Sequence, residues 1–383
     1  MRSLENARTT CEQYHPGLGK ALEEIDLLDR EQVGSPVVAL FREHGGPGLL
    51  VPAAFGGRGA DPVDAVRVMR ALGSYSPSLA AAATMHHFTA AMLYPLTDRA
   101  DGLTAAQREL LAGVVPGRKL MASGWAEGHT RQNILAPAVA ARPADGGYLL
   151  NGAKKPCSLS RSMDLLTASV TVPGAGGRPE LAVALVTAGT PGITVHPFWG
   201  SGALAAAESD EVRLTDVFVP EDLVLRTTAD GDDGPDRLSE MQSAGFVWFE
   251  LLISAGYAGA AAALVQRVLE QARGSVTDRA ALAVRAESAY LLLEGTARAV
   301  RDGDLAGEEA VAAVLVARYA AQETLSDAAG LALELLGGMD FIRSPESALL
   351  AAAVRPLAFH PPSRTSTAEP LLGYFDGAPL VLS

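Results

Sequence analysis

A single carboxylate interrupts a long apolar stretch of this 383-residue chain. Glu250 is the only charged residue between positions 246 and 265. On a helix, its neighbours three and four residues away would be nearly all apolar: Phe246, Val247, Ile253 and Ser254. Burial without a partner raises the pKa of a carboxylic acid, and a base that works near neutral pH needs such a raised pKa. Glu250 is therefore a candidate catalytic base. An ion pair with a distant arginine, or a position near a helix start, are the alternatives.

The histidine and cysteine residues do not form a metal-binding pattern. His86 and His87 fall on a predicted helix with no Cys, Asp or Glu at ligand spacing, so no metal site is expected. Cys11 and Cys157 lie far apart and give neither a CxxC pair nor a disulfide framework, which fits a reducing compartment. The polar N-terminus lacks the apolar core of a signal peptide. We expect a cytoplasmic protein.

The formal net charge of −13 limits the class of partner. Non-specific nucleic-acid binding needs clustered Lys and Arg, so no nucleic-acid partner is expected. The stretch 246–265 is long enough to cross a bilayer, but a carboxylate near the bilayer centre costs roughly 3 kcal/mol. Its glycines and alanines also make it weakly hydrophobic. We therefore expect a buried core helix and no membrane span.

The candidate residues lie in a chain that divides into three blocks of different residue pattern. Residues 1–120 show apolar residues at helical spacing between Gly-Pro loops, and residues 121–228 show short strand-like runs between turns. Residues 229–383 return to helical patterning, with bundle helices predicted over 246–272, 278–300, 307–336 and 344–354, and end in an irregular tail. The pattern predicts an α+β protein with an N-terminal helical domain, a middle antiparallel β-domain of barrel or sandwich type, and a C-terminal four-helix bundle.

Local signals mark some of the boundaries inside these blocks. Asp61 followed by Pro62 predicts a helix start, because an N-cap side chain precedes a proline at the first helical position. Asn151-Gly152 after an apolar run predicts the tight turn of a β-hairpin. Residues 227–235 are predicted to form a polar linker between the β-domain and the bundle.

Five segments in order resemble motifs of the acyl-CoA dehydrogenase family. They are VPAAFGGRG at 51–59, MASGWAEGHTRQN at 121–133, NGAKKPCS at 151–158, VFVP at 217–220 and LGGM at 336–339. They resemble the family's "VPxxxGGxG", "TEPxxGSD", "NGxKxWIT", "VxVP" and "LGGxG" segments. The similarity covers nearly the whole chain and matches the α–β–α order of its blocks.

The resemblance implies an FAD between the β-domain and the bundle, and a homo-oligomer, dimer or tetramer, built through the bundle. The flavin face would be lined by Trp125, Ala126 and the Ser158 hydroxyl, which could donate to the N5 or O4 edge. The amides of Gly337 and Gly338 would approach the pyrophosphate, because glycine has no Cβ. The alternatives are that Ser158 is a turn residue and that the glycines end a helix.

Some relatives in this family carry their catalytic base on the first bundle helix, and the segment FELLISAG at 249–256 resembles theirs, with Glu250 at the position of the base. Many members instead carry it in a "YEGT" loop near the C-terminus. The corresponding segment here, 359–364, has no carboxylate. His360 lies in it and is expected to line the substrate pocket. Other family positions also differ, namely those of Gly128, Gln132, Asn133, Pro156 and Asp340, and the "RxxFGxP" segment is reduced to residues 273–276.

Three functions are compatible with these residues. The leading prediction is FAD-dependent α,β-dehydrogenation of an acyl thioester, carried on CoA or on an acyl carrier protein, with an electron acceptor as partner. In this chemistry a carboxylate takes the α proton while a hydride passes to flavin N5. The second is a flavin-dependent monooxygenase that hydroxylates a small nitrogenous or aromatic substrate. The third is a non-catalytic paralogue that has lost the flavin.

Overall fold

The computed structural model describes residues 1–99, 102–128, 137–174, 179–226 and 237–380, with only the backbone described for 237–242. The predicted linker at 227–235 and part of the 121–133 motif lie outside these ranges. The N-terminal helices are α1 (Arg2–Tyr14), α2 (Leu18–Glu23), α3 (Leu27–Arg30), α4 (Val37–Glu43), α5 (Pro62–Tyr75), α6 (Pro77–Leu93) and α7 (Ala105–Ala112).

Two side-chain caps set the boundaries of the central N-terminal helices. Asp61 Oδ1 accepts hydrogen bonds from the amides of Val63 (2.8 Å) and Asp64 (3.0 Å), which confirms the helix start predicted at Asp61-Pro62. Ser76 caps α6 in the same way, with its hydroxyl accepting from the Leu79 amide at 3.1 Å. Both helices are largely buried and pack against each other and the bundle.

The middle domain is one eight-stranded mixed sheet, sandwich-like and not a closed barrel. Its strands run in the order β6-β7-β3-β2-β4-β5-β8, with β1 paired to β4. Five of the seven strand pairings are antiparallel, as predicted, whereas β1 and β2 both run parallel to β4. The strands are β1 (Met121–Gly124), β2 (Ala140–Ala144), β3 (Gly147–Cys157), β4 (Leu165–Pro173), β5 (Pro179–Thr187), β6 (Ile193–His196), β7 (Asp210–Pro220) and β8 (Val224–Arg226).

The hairpin turn predicted at Asn151-Gly152 is wrong. The chain turns earlier, at 145–146, and β3 runs straight through Asn151 to pair with both β2 and β7. Gly152 lies instead at a register shift between β3 and β7, with φ of +144°. The Asn151 amide nitrogen donates to Asp216 Oδ1 at 3.0 Å, and its oxygen accepts from the Asp216 amide at 2.9 Å. Asn-Gly marks a β-bulge here, since Gly also suits strand irregularities.

The C-terminal bundle is built on one central helix. Its helices are α8 (Arg237–Glu270), α9 (Val276–Asp302), α10 (Gly307–Leu336), α11 (Gly338–Arg343), α12 (Pro345–Val354) and α13 (Arg364–Phe375). Helix α8 is long and apolar enough to span a membrane, but most of its apolar length is buried against α5, α6, α9, α10 and α12. This confirms the prediction of a core helix. The irregular tail expected for the last twenty or so residues is wrong for residues 364–375, where Ser363 caps α13 by accepting from the Ser366 amide.

Candidate functional site

Glu250 and Arg318 form a buried ion pair at the centre of the bundle. Glu250 lies on α8 and Arg318 on α10, and an Arg318 Nη1–H donates to Glu250 Oε1 at 2.7 Å. Neither side chain has any solvent-exposed surface. The expectation that Glu250 has no charged partner is therefore wrong, and the alternative of an ion pair with a distant arginine is what the structure shows. Arg318 carries the only charge between residues 310 and 322, so the signal that singled out Glu250 also marks Arg318.

Burial still dominates the electrostatics of Glu250. Loss of hydration raises the pKa of Glu250 to about 7, against the opposing attraction and hydrogen bond of Arg318. The second carboxylate oxygen, Oε2, is buried and has no hydrogen-bond partner within the described part of the chain. The group therefore has one oxygen held in place and one free to accept a proton.

Arg318 also fixes the backbone of the segment that follows α12. Its guanidinium donates to the carbonyl oxygens of Leu357 at 3.1 Å, His360, and Pro361 at 3.4 Å. One side chain thus links α8, α10 and the segment 355–362. The structure thereby brings together two residues that the sequence predicted separately, Glu250 and His360, through a residue that sequence reasoning did not identify.

The imidazole of His360 is enclosed by aromatic groups. Its Nε2 is 2.7 Å from the hydroxyl of Tyr257, which lies on α8. The ring makes an edge contact with Phe249, whose ring in turn contacts Phe88 on α6, with centroid distances of 5.8 Å and 5.5 Å. Burial and, less strongly, the charge of Arg318 lower the pKa of His360 to about 3. His360 is therefore neutral at physiological pH. Its role in substrate binding stays a prediction.

The three residues predicted to face a flavin lie along neighbouring strand ends of the β-domain. Trp125 and Ala126 follow β1, and Ala126 accepts a hydrogen bond from the amide of Lys155 on β3 at 2.8 Å. Ser158 follows β3, and its hydroxyl lies 2.9 Å from that of Ser209. Trp125, Ala126 and Ser158 are all half-buried. The backbone contact between Ala126 and Lys155 places the residues after β1 beside the last residues of β3, which Ser158 follows, and these two strand ends form one edge of the domain.

This edge suits the hydrogen-bonding needs of a flavin. The indole N–H of Trp125 is buried but has no partner in the part of the chain that the structure describes. Buried donors in native proteins are nearly always satisfied, so the N–H suits an acceptor on a bound molecule, as flavin nitrogens and carbonyls are. The two serine hydroxyls supply donors and acceptors beside it. The residues present thus fit a flavin ring.

A second buried ion pair supports the same edge and was not predicted from sequence. Lys154 Nζ lies 2.6 Å from Glu127 Oε1 and donates to the Ser169 hydroxyl at 3.1 Å. Glu127 also accepts from the amides of Ala138 at 2.8 Å and Val139 at 3.2 Å. Because Glu127 directly follows Trp125-Ala126 and Lys154 lies in β3, the pair fixes the two segments relative to each other.

Gly337 and Gly338 lie at the junction of α10 and α11. The amide of Gly337 donates to the Leu333 carbonyl at 3.0 Å, and its φ of +85° ends the helix. Gly337 therefore ends helix α10, as the alternative prediction had it. A Cβ on either glycine would meet nothing within 4 Å, so no described residue covers this turn. A role for the two amides in cofactor binding stays a prediction.

His86 joins parts of the N-terminal block and the β-domain as a structural group. His86 Nε2 lies 2.9 Å from the Pro47 carbonyl oxygen, and its Nδ1 accepts from the Met121 amide at 3.0 Å, which joins α6 to β1. Burial lowers the pKa of His86 to about 4. Among the described residues no group of three or more His, Cys, Asp or Glu side chains is placed to hold a metal ion.

Known proteins resemble this chain along its whole length. The N-terminal domain of acyl-CoA dehydrogenases matches residues 5–115. The isobutylamine N-hydroxylase of Streptomyces viridifaciens is 62% identical over 380 residues, which cover 99% of this chain and 100% of that protein. An L-prolyl-[peptidyl-carrier protein] dehydrogenase from a Serratia species is 24% identical over 298 residues, 74% of each chain.

Two solved flavoprotein structures share the fold. KijD3 in complex with FMN and a dTDP-linked amino sugar has a TM-score of 0.80 at 21% identity and covers 98% of this chain and 93% of its own. The FAD complex of PigA has a TM-score of 0.77 at 18% identity and covers 98% of both chains. The structural neighbours therefore include proteins that bind FMN and proteins that bind FAD.

Proposed function

Because this chain belongs to the acyl-CoA dehydrogenase family of flavoproteins, we propose that it is the family's oxygen-inserting type of enzyme, a flavin-dependent N-hydroxylase of a small primary aliphatic amine. The observation that carries the proposal is the 62% identity to isobutylamine N-hydroxylase over essentially all of both chains. The leading prediction from sequence, α,β-dehydrogenation of an acyl thioester, has weaker support, since the carrier-protein dehydrogenase is only 24% identical.

The geometry of the two candidate base positions also favours N-hydroxylation. Dehydrogenation needs a carboxylate free to reach the α carbon of a thioester. Glu250 has one oxygen bound to Arg318, which is itself bound to three backbone carbonyls. The other position is occupied by His360, which pairs with Tyr257 and has its pKa lowered to about 3. N-hydroxylation removes no proton from carbon, so it does not need a carboxylate that can move to an α carbon.

The proposed reaction converts R–NH₂, O₂ and reduced flavin into R–NHOH, H₂O and oxidised flavin. One oxygen atom forms the new N–O bond, and the other leaves as water with the two hydrogens of the reduced flavin. When bound, the flavin supplies the two electrons that activate O₂. The electrons come from a separate NAD(P)H-dependent flavin reductase, so the partner is an electron donor and not the acceptor expected for a dehydrogenase.

The residues of this chain have two tasks in that reaction. Trp125, Ala126 and Ser158 hold the flavin ring at the strand ends, with the Trp125 N–H as a hydrogen-bond donor. The apolar walls around Phe88 and Phe249 exclude water, which protects an activated oxygen species from wasteful decay. We propose FAD as the flavin, with the amides of Gly337 and Gly338 near its pyrophosphate.

We also propose that the enzyme is a homo-oligomer built through the bundle. Large apolar side chains of α11, next to the Gly337-Gly338 turn, are more than half exposed: Met339, Phe341 and Ile342. Exposed apolar patches of this kind are typical of protein interfaces. Light scattering on the purified protein measures the mass directly, and a monomer at micromolar concentration would contradict the proposal.

The test of the function is a coupled assay with purified protein, FAD, NADH, a flavin reductase and isobutylamine. We expect the corresponding N-hydroxylamine by mass spectrometry, with isotope-labelled oxygen from O₂ in the product and none from water. If an acyl thioester bleaches the oxidised flavin without reductase or O₂, the chain is a dehydrogenase. A protein that binds no flavin at all is the non-catalytic paralogue.

A further inference from the structure

We propose that Glu250 Oε2 and Ser254 Oγ form the subsite that holds the amino nitrogen of the substrate and accepts its proton. The inference rests on the proposed N-hydroxylation and identifies the residues that select and activate the amine. Glu250 would contact the substrate nitrogen directly, whereas Arg318 would act as a positioning residue that holds the carboxylate.

Two unpaired polar atoms on one helix face carry the inference. Glu250 and Ser254 are four residues apart on α8, so their side chains lie about 5–6 Å apart on the same face. Glu250 is 1% exposed and Ser254 is fully buried. Both Glu250 Oε2 and Ser254 Oγ lack a hydrogen-bond partner among the described residues. Each buried polar atom left unsatisfied costs about 1–3 kcal/mol, and a ligand that bonds both would recover this free energy.

The chemistry of the two atoms fits a primary amine. A carboxylate oxygen accepts hydrogen bonds, and a hydroxyl both accepts and donates. A primary ammonium has three N–H donors, so it can bond Oε2 and Oγ together. The Arg318 guanidinium already holds Oε1, which leaves Oε2 as the accepting oxygen. An anion or a neutral hydrocarbon would satisfy neither atom.

Proton transfer to Oε2 follows from the low polarity of the site. Alkylamines are protonated in neutral water, but only the neutral amine has the nitrogen lone pair that attacks an electrophilic oxygen. Proton transfer replaces a buried carboxylate and a buried ammonium by two neutral groups, which relieves their desolvation and leaves the Arg318 guanidinium as the remaining charge. The N–H bond breaks, the O–H bond forms on Oε2, and the electron pair stays on nitrogen. Burial, which raises the pKa of Glu250 to about 7, makes this carboxylate a better proton acceptor than an ordinary glutamate.

The surroundings of the pair define the rest of the substrate. Arg318 from α10 is the charged group that contacts Glu250, and Tyr319 from the same helix is close enough for the carboxylate to help raise its pKa. His360, after α12, and Tyr257, on α8, pair with each other, and the charge of Arg318 acts on both. Of these, His360 and Tyr257 are uncharged near neutral pH, since burial lowers the pKa of His360 and raises that of Tyr257. The rings of Phe88 and Phe249 are half-buried beside them. The site therefore suits a short alkyl group that carries a single amine.

The test compares Glu250→Gln and Ser254→Ala with Glu294→Gln in the flavin-loaded protein. Glu294 is another buried carboxylate, paired with Arg67 at 3.0 Å on a different face of the bundle. We expect Glu250→Gln to raise the KM and Kd for isobutylamine roughly 30-fold or more, and Ser254→Ala to raise them about 5-fold. Glu294→Gln should leave both unchanged.

Two further measurements separate a substrate contact from a structural role. In the Glu250→Gln variant the neutral isostere isobutanol should lose much less affinity than isobutylamine, because an alcohol makes no charged contact with the carboxylate. Calorimetry of isobutylamine binding to wild type in buffers of different ionisation enthalpy should show that the bound amine has given its proton to the protein and not to the buffer.

The outcomes distinguish the subsite from the function. If the wild type makes the hydroxylamine and Glu250→Gln keeps the wild-type KM and Kd for isobutylamine, the subsite is overturned and the N-hydroxylase function stands. If the wild type makes no hydroxylamine, the proposed function fails. Should Glu250→Gln not fold, Ser254→Ala decides instead, and an unchanged Kd for isobutylamine together with amine-to-buffer proton release in wild type would overturn the subsite.

Discussion

Gly73 on α5 and Gly256 on α8 bring their backbones into direct contact. A Cβ atom built on Gly73 would lie 1.9 Å from the carbonyl oxygen of Gly256, far inside any real contact distance. One turn further along α8, a Cβ on Gly259 would lie 2.0 Å from the carbonyl oxygen of Arg70. The N-terminal block and the bundle are therefore joined along a seam of small residues, which positions α8 and its Glu250.

Gly73→Ala should destabilise the protein by about 3 kcal/mol or more, because the added methyl group forces the two helices apart. Urea unfolding measures the change in the free energy of unfolding. Gly295→Ala is the matched control, since Gly295 is an exposed glycine inside α9 with nothing within 4 Å of its built Cβ. That change should stabilise by about 0.5–1 kcal/mol through helix propensity. Equal effects at the two sites would show that the seam is not tightly packed.

Arg318→Met should destabilise by about 3–5 kcal/mol, because it leaves a buried carboxylate without its partner. It should also release the segment 355–362, whose carbonyls Arg318 binds, so amide hydrogen exchange and proteolysis there should increase. Arg364→Ala is the control. Arg364 pairs with Glu323 at the surface, with side chains 52% and 66% exposed, and its loss should change stability by less than about 1 kcal/mol. A similarly small loss for Arg318→Met would contradict the central role of this side chain.

The stability difference between wild type and Glu250→Gln should depend on pH. The pKa of Glu250 is raised from 4.5 to about 7 in the folded protein, so between these values the folded state binds more protons than the unfolded state. The contribution of Glu250 to the free energy of unfolding therefore falls as pH rises from about 4.5 to 7, by at most about 3 kcal/mol. Glu250→Gln removes this slope.

Buried histidines change the free energy of unfolding with pH in the opposite direction. The wild type must therefore be compared with the Glu250→Gln variant. Burial lowers the pKa of His15 and His86 to about 4 and that of His360 to about 3, so the stability associated with their neutral forms is lost as pH falls below about 6.5. Subtracting the Glu250→Gln curve from the wild-type curve, both from urea unfolding between about pH 5 and pH 8, isolates the carboxylate. A pH-independent difference would show that Glu250 keeps an ordinary pKa.

Trp125→Phe should weaken flavin binding roughly 5- to 10-fold, which corresponds to the loss of one hydrogen bond of about 1 kcal/mol. Flavin fluorescence titration with FAD and FMN measures the affinity and also decides which flavin is preferred. Trp199→Phe is the control, because the Trp199 indole N–H already donates to the Ala203 carbonyl at 2.8 Å. If both changes weaken flavin binding equally, the unpaired N–H of Trp125 is not a flavin contact.

The sequence was most informative where periodicity and caps agree. The layout of helices, sheet and helices, the start of α5 at Asp61-Pro62 and the buried α8 all follow from local patterns. The turn at 145–146 did not follow from a local pattern, because Asn-Gly indicates a hairpin turn more strongly than a β-bulge. Only the pairing of β3 with β7 distinguishes the two. Helix α13 was missed because prolines on both sides of residue 364 mask a short helix whose start depends on the Ser363 cap.

The sequence identified residues of the candidate site but not the contacts between them. A lone charge in an apolar helix marks Glu250, and the same rule applied to α10 marks Arg318. No local pattern says that these two meet across 68 residues, or that the partner then binds the backbone around His360. Whether Glu250 can reach an α carbon likewise depends on its contacts in the packed bundle, which no local pattern gives.

Arg318 and Tyr319, two consecutive residues of α10, bind the segment 357–367. Arg318 binds the carbonyls around residue 360, and the Tyr319 hydroxyl donates to the Pro362 carbonyl at 3.1 Å and lies 2.7 Å from the Thr367 hydroxyl in α13. A chain shortened to end before Leu357 would strip these partners from both side chains and open the bundle centre to water. The segment 357–375 therefore shields the buried ion pair of Glu250 and Arg318 from solvent.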